Sequence, residues 1–513
     1  MRNETTQYNA NNSTELMTKK PNRLNKWIIG GAGAVAAMAA VTSGLCADAS
    51  DPLLDMLIKK GILTEQEATA IKTEAETNTV PISASKWKLS DSIKNIGLFG
   101  DVRFRYEYRG ADNPTAYAQS SSDTYRRERW RYAFRAGIRG DLFDDFNYGV
   151  RIETSSNPRS PWVTLGDDTS PTPTSKTSDT LYIGQIYLGW HPEDWYEMTV
   201  GRMPMPLYTT PMVWDSDINP EGAFEKFKLS VGDADLFADF GQFVYQDTNP
   251  DTAIPSSDTW LLTFQVGTTV KLDKYSSFKI APMVYVYSGR GSTNLANGVN
   301  EPFVGQGVPN GLLNAGSNPN DAAHNENGIN DLLIVEVPAE YNLKLGDYHA
   351  RLFGDFAYNV NGDTRSRTAY TVGSAQGLFP GVAGAVTGQN TAYQVGIGFG
   401  SEGPVYGPTQ GLVYGTTSKK HTWEGRFYWQ HVEQYALDVN LMDSDFFEGR
   451  ANLEGFYSAI AYSFTDAVIG TVRYGHANVI NNRLGTGGNN LDLPLLNPIR
   501  NYNVVQLDLT WRF

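Results

Sequence analysis

Between Arg127 and Arg139 the chain alternates with a period of two. Trp130, Tyr132, Phe134, Ala136 and Ile138 fall on one face, and Arg127, Arg129, Arg131, Arg135 and Arg139 on the other. Successive side chains of a strand point to opposite sides, so this segment is a strand with one apolar and one basic face. A soluble sandwich would bury the aromatic face against a second sheet. A membrane barrel would turn it to lipid and the arginines to water. Sixteen segments of this kind can be read, roughly 98–109, 125–140, 146–155, 179–191, 196–203, 222–229, 236–246, 259–272, 277–288, 331–344, 347–359, 392–402, 420–432, 449–464, 467–478 and 502–513.

The connections separate the two architectures. Short turns at Asp141 to Asp145, Pro192, Val231 to Asp235, Asp273 to Ser276, Gly346-Asp347 and Thr465-Asp466 alternate with long loops rich in Gly, Asn, Ser and Thr, notably 156–178, 289–330, 360–391 and 479–501. Short periplasmic turns and long external loops are the topology of bacterial outer-membrane barrels. The stretch 403–419 is long where a short turn is due, which leaves the count open by two strands there. The fold class expected is all-β, a transmembrane antiparallel barrel of about 16 strands preceded by a short N-terminal α-helical segment.

The final segment is the most regular. Val505, Leu507, Leu509, Trp511 and Phe513 share one face; Gln506, Asp508, Thr510 and Arg512 share the other. A strand that stops on an aromatic residue of the lipid face resembles the signal read by outer-membrane assembly machinery, which implies that machinery as a partner.

Hydropathy does not report such a fold. Mean hydropathy is −0.37, because each spanning strand turns only about five residues to lipid. Composition agrees with strands and tight turns: aromatics are 12% and there are 50 glycines. Near the N-terminus, Lys19, Lys20, Arg23 and Lys26 precede an uncharged run from Trp27 to Ala47. That order is the basic, apolar and small-residue pattern of a secretory signal, with cleavage after Ala47 or Ala49 and Met17 as an alternative start. A membrane-anchoring helix is the competing reading, weakened by the dominance of Gly and Ala. A cleaved signal removes Cys46, the sole cysteine, and with it any disulfide or Cys-based metal site. The domains expected are therefore 1–47, signal peptide; 48–95, periplasmic helical segment and linker; and 96–513, barrel. Within the second, Leu53, Leu54, Leu57 and Ile58 form an apolar stripe, and Thr64 with Glu67 makes a capping box.

Particular stretches carry a family resemblance. They are Leu53-Leu54-Asp55-Met56-Leu57 through Glu67-Ala68; Val200-Gly201-Arg202-Met203-Pro204; Val213-Trp214-Asp215-Ser216-Asp217 through Asn219-Pro220-Glu221-Gly222; and Ala436-Leu437-Asp438 through Asp443-Ser444-Asp445-Phe446. With these the chain resembles the porins of Gram-negative-type bacteria that share the sixteen-strand general-porin architecture. The resemblance implies a water-filled outer-membrane channel for passive diffusion of small polar or charged solutes and ions. It also implies a third external loop, here 203–222, folded into the barrel with its acidic residues facing a basic wall, and homotrimeric assembly.

The pore-lining and constriction residues expected are accordingly Arg103, Arg105, Arg129, Arg131 and Arg135 from the wall, and Asp215, Asp217 and Glu221 from the loop. A transverse field between the two sets would orient polar solutes. Selectivity stays open, since a row of arginines points to anions and a net charge of −14 pulls the other way. The remaining partners expected are outer-membrane lipid and lipopolysaccharide. An acidic chain without a basic tail is a poor nucleic-acid binder. Catalysis, a cofactor and a metal are not expected: the six histidines are scattered and none has metal-ligand spacing. A structural or adhesive barrel with binding loops is the other class in play, and an anion-selective, substrate-specific channel the narrower alternative.

Overall fold

The computed structural model describes residues 90, 92–112, 124–143, 145–155, 160–166, 180–247, 259–288, 332–366, 388–401, 419–481, 486 and 499–513. The expected signal, the helical segment up to residue 89 and much of the long loops lie outside the described residues. No described helix is long and apolar enough to cross a membrane.

Among the described residues nineteen strands form one closed antiparallel sheet. In chain order they are β1 (Gly97–Asp112), β2 (Thr124–Asp141), β3 (Phe146–Ser155), β4 (Val163–Thr164), β5 (Thr180–Glu193), β6 (Tyr196–Arg202), β7 (Glu221–Val231), β8 (Ala234–Gln246), β9 (Thr259–Lys271) and β10 (Ser276–Ile280). There follow β11 (Met283–Ser288), β12 (Leu333–Glu336), β13 (Ala339–Leu345), β14 (Tyr348–Asn359), β15 (Thr391–Gly400), β16 (Trp423–Val432), β17 (Leu453–Ser463), β18 (Val468–Val479) and β19 (Asn501–Arg512). They make sixteen staves, because three staves are each built of two pieces. β4 continues β3 along β2. β10 and β11 are parted by Ala281-Pro282, and β12 and β13 by Val337-Pro338. Proline has no N–H to give a ladder, so both adjacent staves break at the same height. There Ala281 N bonds Pro338 O at 3.0 Å and keeps the seam closed.

Each stave lies beside its sequence neighbour, and β19 closes the ring on β1 with Arg105 opposite Asp508 and Phe104 opposite Leu509. β16 pairs directly with β15, so no stave stands between them in the sheet and the count of sixteen stands. The stave expected to bend at Pro192 instead runs on to Glu193, absorbing the proline by a register shift after Trp190. Alternation sorts the faces as the sequence implies. Trp130 is 60% exposed, while Arg129 and Arg131 on either side of it are buried within the ring. An inverted barrel, polar inside and aromatic outside, satisfies every backbone group within the sheet and leaves no edge.

Candidate pore constriction

The interior narrows because two external connections fold into it. The first, 203–220, leaves β6 and returns to β7. Its neck is a pair of glycines facing each other across the ladder, Gly201 and Gly222, with φ of +121° and +148°. A Cβ at either would strike a backbone carbonyl of the next stave, that of Ile186 or Gln242. Only glycine allows both the turn and the close approach. The second connection, 433–452, leaves β16 and returns to β17.

These segments are too apolar to stand in water. Met203, Leu207, Met212, Val213 and Trp214 from the first pack with Ala436, Leu437, Val439, Leu441 and Met442 from the second. Both rest on Phe224, Phe243, Leu261, Met283, Tyr285 and Tyr287 of the wall, and the whole is one buried cluster. Backbone bonds join the two loops directly: Asp443 N to Pro211 O at 3.0 Å and Asp215 N to Leu441 O at 2.5 Å. Asp215 Oδ2 then accepts Ser444 N at 3.2 Å and Ser444 Oγ at 3.3 Å.

Polar anchors fix the loops to the wall. Thr209 Oγ1 donates to Glu336 Oε1 at 2.7 Å, and Tyr285 OH donates to Glu336 Oε2 at 2.6 Å. Thr210 Oγ1 donates to Asp355 Oδ2 at 2.5 Å. Gln265 brackets Tyr208, accepting its N–H at 2.9 Å and donating to its carbonyl at 2.8 Å. On the second loop, Asp438 Oδ2 accepts Tyr245 OH at 2.8 Å and Tyr287 OH at 3.0 Å.

The arginines hold the opposite margin. Arg105, with no exposed surface, lies 2.7 Å from both Asp445 of the second loop and Asp508 of β19; Arg473 pairs with Asp508 as well. Arg135 reaches Asp217 of the first loop at 3.3 Å and Asp101 at 3.0 Å. Glu107 collects Arg129 at 2.5 Å, Arg109 at 3.1 Å and Arg131 at 3.6 Å. Trp162, carried inward between β3 and β4, lies over this group: the Arg105 guanidinium is 4.0 Å from its ring centroid, Arg131 5.7 Å and Arg103 5.8 Å. Guanidinium-on-indole contact and ion pairing let several arginines sit together out of water.

Carboxyl groups crowd along the seam of the loops. Burial, compounded by Asp443 and Asp217, pushes the Asp215 carboxyl well above its ordinary range. Burial and the charge of Asp445 raise Asp443 to about 7. For Asp445 burial acts the same way, but Arg105 outweighs it and holds the group below its ordinary value.

Of the residues expected from sequence, Arg103, Arg105, Arg129, Arg131, Arg135, Asp215 and Asp217 meet in this one region. Glu221 does not. It is the first residue of β7 rather than part of the loop, and alternation puts it on the outward face with Phe227 and Leu229. Its side chain is 57% exposed and lies 3.2 Å from Arg202. The single-residue pairing of Gly201 with Gly222 fixes that parity. The second inward loop and Trp162 were not singled out for a site role. Their signal is present: Leu437, Val439, Leu441, Met442, Phe446 and Phe447 make 433–452 far more apolar than an external loop. Of two carboxylates on neighbouring pieces of one stave, Glu336 anchors Thr209 and Glu340 lies 3.2 Å from Arg351. Among the described residues no cluster of His, Cys, Asp and Glu is arranged to hold a metal.

Two mutants of the porin of Rhodopseudomonas blastica, at 10% and 11% identity, align over 82% of this chain and 100% of theirs, each with a TM-score of 0.36. No curated protein matches the chain. The family described as "Putative porin" matches residues 82–303 and 314–513. The chain belongs to that porin family, whose barrels are channels of the outer membrane.

Proposed function

We propose that small polar and charged solutes diffuse passively past the paired loops, through the space bounded by them and the staves β7 to β16. The carrying observation is the interlock itself, two loops bonded to each other and tied to opposite walls. In this reading Arg103, Arg105, Arg129, Arg131 and Arg135, with Asp215 and Asp217, frame the constriction and hold its shape. Their charges are offset by the carboxylates beside them, so the field felt by a solute comes chiefly from partly exposed lumen-facing charges such as Lys279 and Glu424.

Planar-bilayer recording of the purified protein tests this reading. Steady conductance steps with a non-zero reversal potential in a salt gradient are expected. Absence of steps would mean a closed structural or adhesive barrel, and would overturn it.

The same reading includes export under a signal cleaved near Ala47, insertion by the assembly machinery through β19, contact with lipopolysaccharide, and homotrimeric assembly. In support of the last, polar side chains interrupt the outward surface on β6 to β8. The Arg202–Glu221 pair lies there, and Gln242 Nε2 contacts Glu225 Oε2 at 3.5 Å. Charges on a lipid-facing strand are costly, whereas a neighbouring subunit accommodates them. A monomeric mass in mild detergent would exclude the trimer.

A further inference from the structure

The wall and the first loop enclose a recess on the turn side of the constriction, of about 600 Å³. Its floor is the start of the inward loop, where Met203, Met205 and Pro206 pack beside Phe224. Its back is Tyr187, whose ring lies against the bare backbone of Gly149; a Cβ there would stand 2.5 Å from the ring. Arg139 forms the rim. Its guanidinium lies 5.0 Å from the Phe99 ring centroid, and among the described residues no carboxylate pairs with it. The two acids of the recess are otherwise engaged: Asp141 accepts Asn95 Nδ2 at 2.6 Å, and Glu197 pairs with Lys228 at 2.7 Å.

The geometry points to a binding site here for a small amphipathic monoanion, a carboxylate carrying an aryl or branched alkyl body. The Arg139 guanidinium lines the recess beside the Phe99 ring, and its planar fork of N–H groups is the shape that matches a carboxylate. The thioethers and prolines beside it offer an apolar shelf without donors that would need partners. A simple inorganic anion would use the guanidinium and leave that shelf wet. A neutral solute would use the shelf and leave the cation unmatched. The combination selects for both features, because the lining is part polar and part apolar. The proposal rests on the reading of the lumen as a solute path, and it adds a class of solute that lingers there.

Current through the full-length protein in a planar bilayer is the test, with 3-phenylpropanoate, 3-phenylpropanamide, 3-phenylpropylamine and acetate each added from the turn side. Brief blockades by 3-phenylpropanoate alone are expected. Arg139→Gln should weaken them by about five-fold, the order of a partly shielded charge-assisted pair. Met205→Ser should weaken block by 3-phenylpropanoate without creating block by acetate. Equal block by acetate, by the amide or by the amine would overturn the assignment, as would a block unchanged in Arg139→Gln. Calorimetric titration of the same probes into protein in detergent reads the site without conduction. A barrel that binds 3-phenylpropanoate through Arg139 but passes no current keeps the site and loses the channel reading. Steady conduction without block or binding does the reverse.

Discussion

Arg105 and Asp445 are 340 positions apart in sequence, yet Arg105 Nη1 lies 2.7 Å from Asp445 Oδ1. The contact ties the first stave to the second inward loop, and Asp508 shares the same guanidinium. Removing one partner from a buried, hydrogen-bonded ion pair costs about 3–5 kcal/mol where the other charge is left alone, and less here because Asp508 still compensates Arg105. Asp445→Asn should therefore loosen the loop while the sixteen-stave ladder stays intact. We expect noisier and larger single-channel currents with the barrel's heat resistance nearly unchanged. Conversion of both partners to apolar residues of similar volume, Arg105→Met with Asp445→Leu, should quieten the current again. Wild-type currents in Asp445→Asn would show that the ion pair does not hold the loop.

The seam between the loops should respond to pH through Asp443. Its folded value of about 7 lies above the ordinary 3.8, so the folded seam binds the proton more tightly than the free carboxyl does. A group raised in this way contributes stability below its ordinary value, and that contribution is lost as pH rises through the folded one. The groups facing it are Asp215, Asp217 and Asp445, with Arg109 the nearby cation. Three acids against one cation favour the protonated form. Asp445 runs oppositely, its contribution failing only in acid below 3.8. The seam should be quietest near pH 5 and grow noisy toward pH 8, with Asp443→Asn flattening the trend. An increase of noise on acidification over the same range would reverse the sign and refute the assignment.

The barrel was legible because alternation is a local property. Trp130 between Arg129 and Arg131 declares its face without reference to any other strand, and the same two-residue period repeats along the chain. The shared face of the arginines was legible for the same reason, whereas Asp215 and Asp217 were expected from the resemblance of their loop to those of general porins. The partners of those residues were not. That Arg105 pairs with Asp445, or that Trp162 lies on three guanidinium groups, depends on how segments far apart in sequence fold into a shared space, and no periodicity records it. Glu221 shows the limit most sharply. The loop ends two residues earlier than expected, which leaves Glu221 on β7, where strand alternation and not the path of the loop sets its face.

Lys279 should weigh more on selectivity than the buried arginines do. Its Nζ lies 3.7 Å from the Tyr208 ring centroid on the loop, and among the described residues no carboxylate oxygen comes within ion-pair distance of it. Arg129, by contrast, is buried and makes the closest contact with Glu107, at 2.5 Å, so that carboxylate offsets its field where it sits. In a tenfold potassium chloride gradient, Lys279→Glu should move the reversal potential toward cations. Arg129→Gln should move it less, since Glu107 keeps two other cations. Equal shifts from both variants would place the arginines in the conducting path after all.

Closure of the ring should depend on Gly100. Its N–H donates to Phe513 O at 2.9 Å, and its carbonyl accepts Phe513 N at 3.1 Å. The Phe513 ring lies over the glycine, so a Cβ there would stand 2.5 Å from Cζ and 2.8 Å from Cε2. A methyl group cannot be placed without moving the ring, and overpacking of this kind costs roughly 1–3 kcal/mol. Gly100→Ala should lower the temperature at which the folded band is lost on unheated gels. Because the same Cβ also meets the backbone carbonyl of Arg135, trimming the ring with Phe513→Leu should restore only part of the loss. Full restoration would assign the whole penalty to the ring, and no loss in Gly100→Ala would show that the closing stave shifts freely against β1.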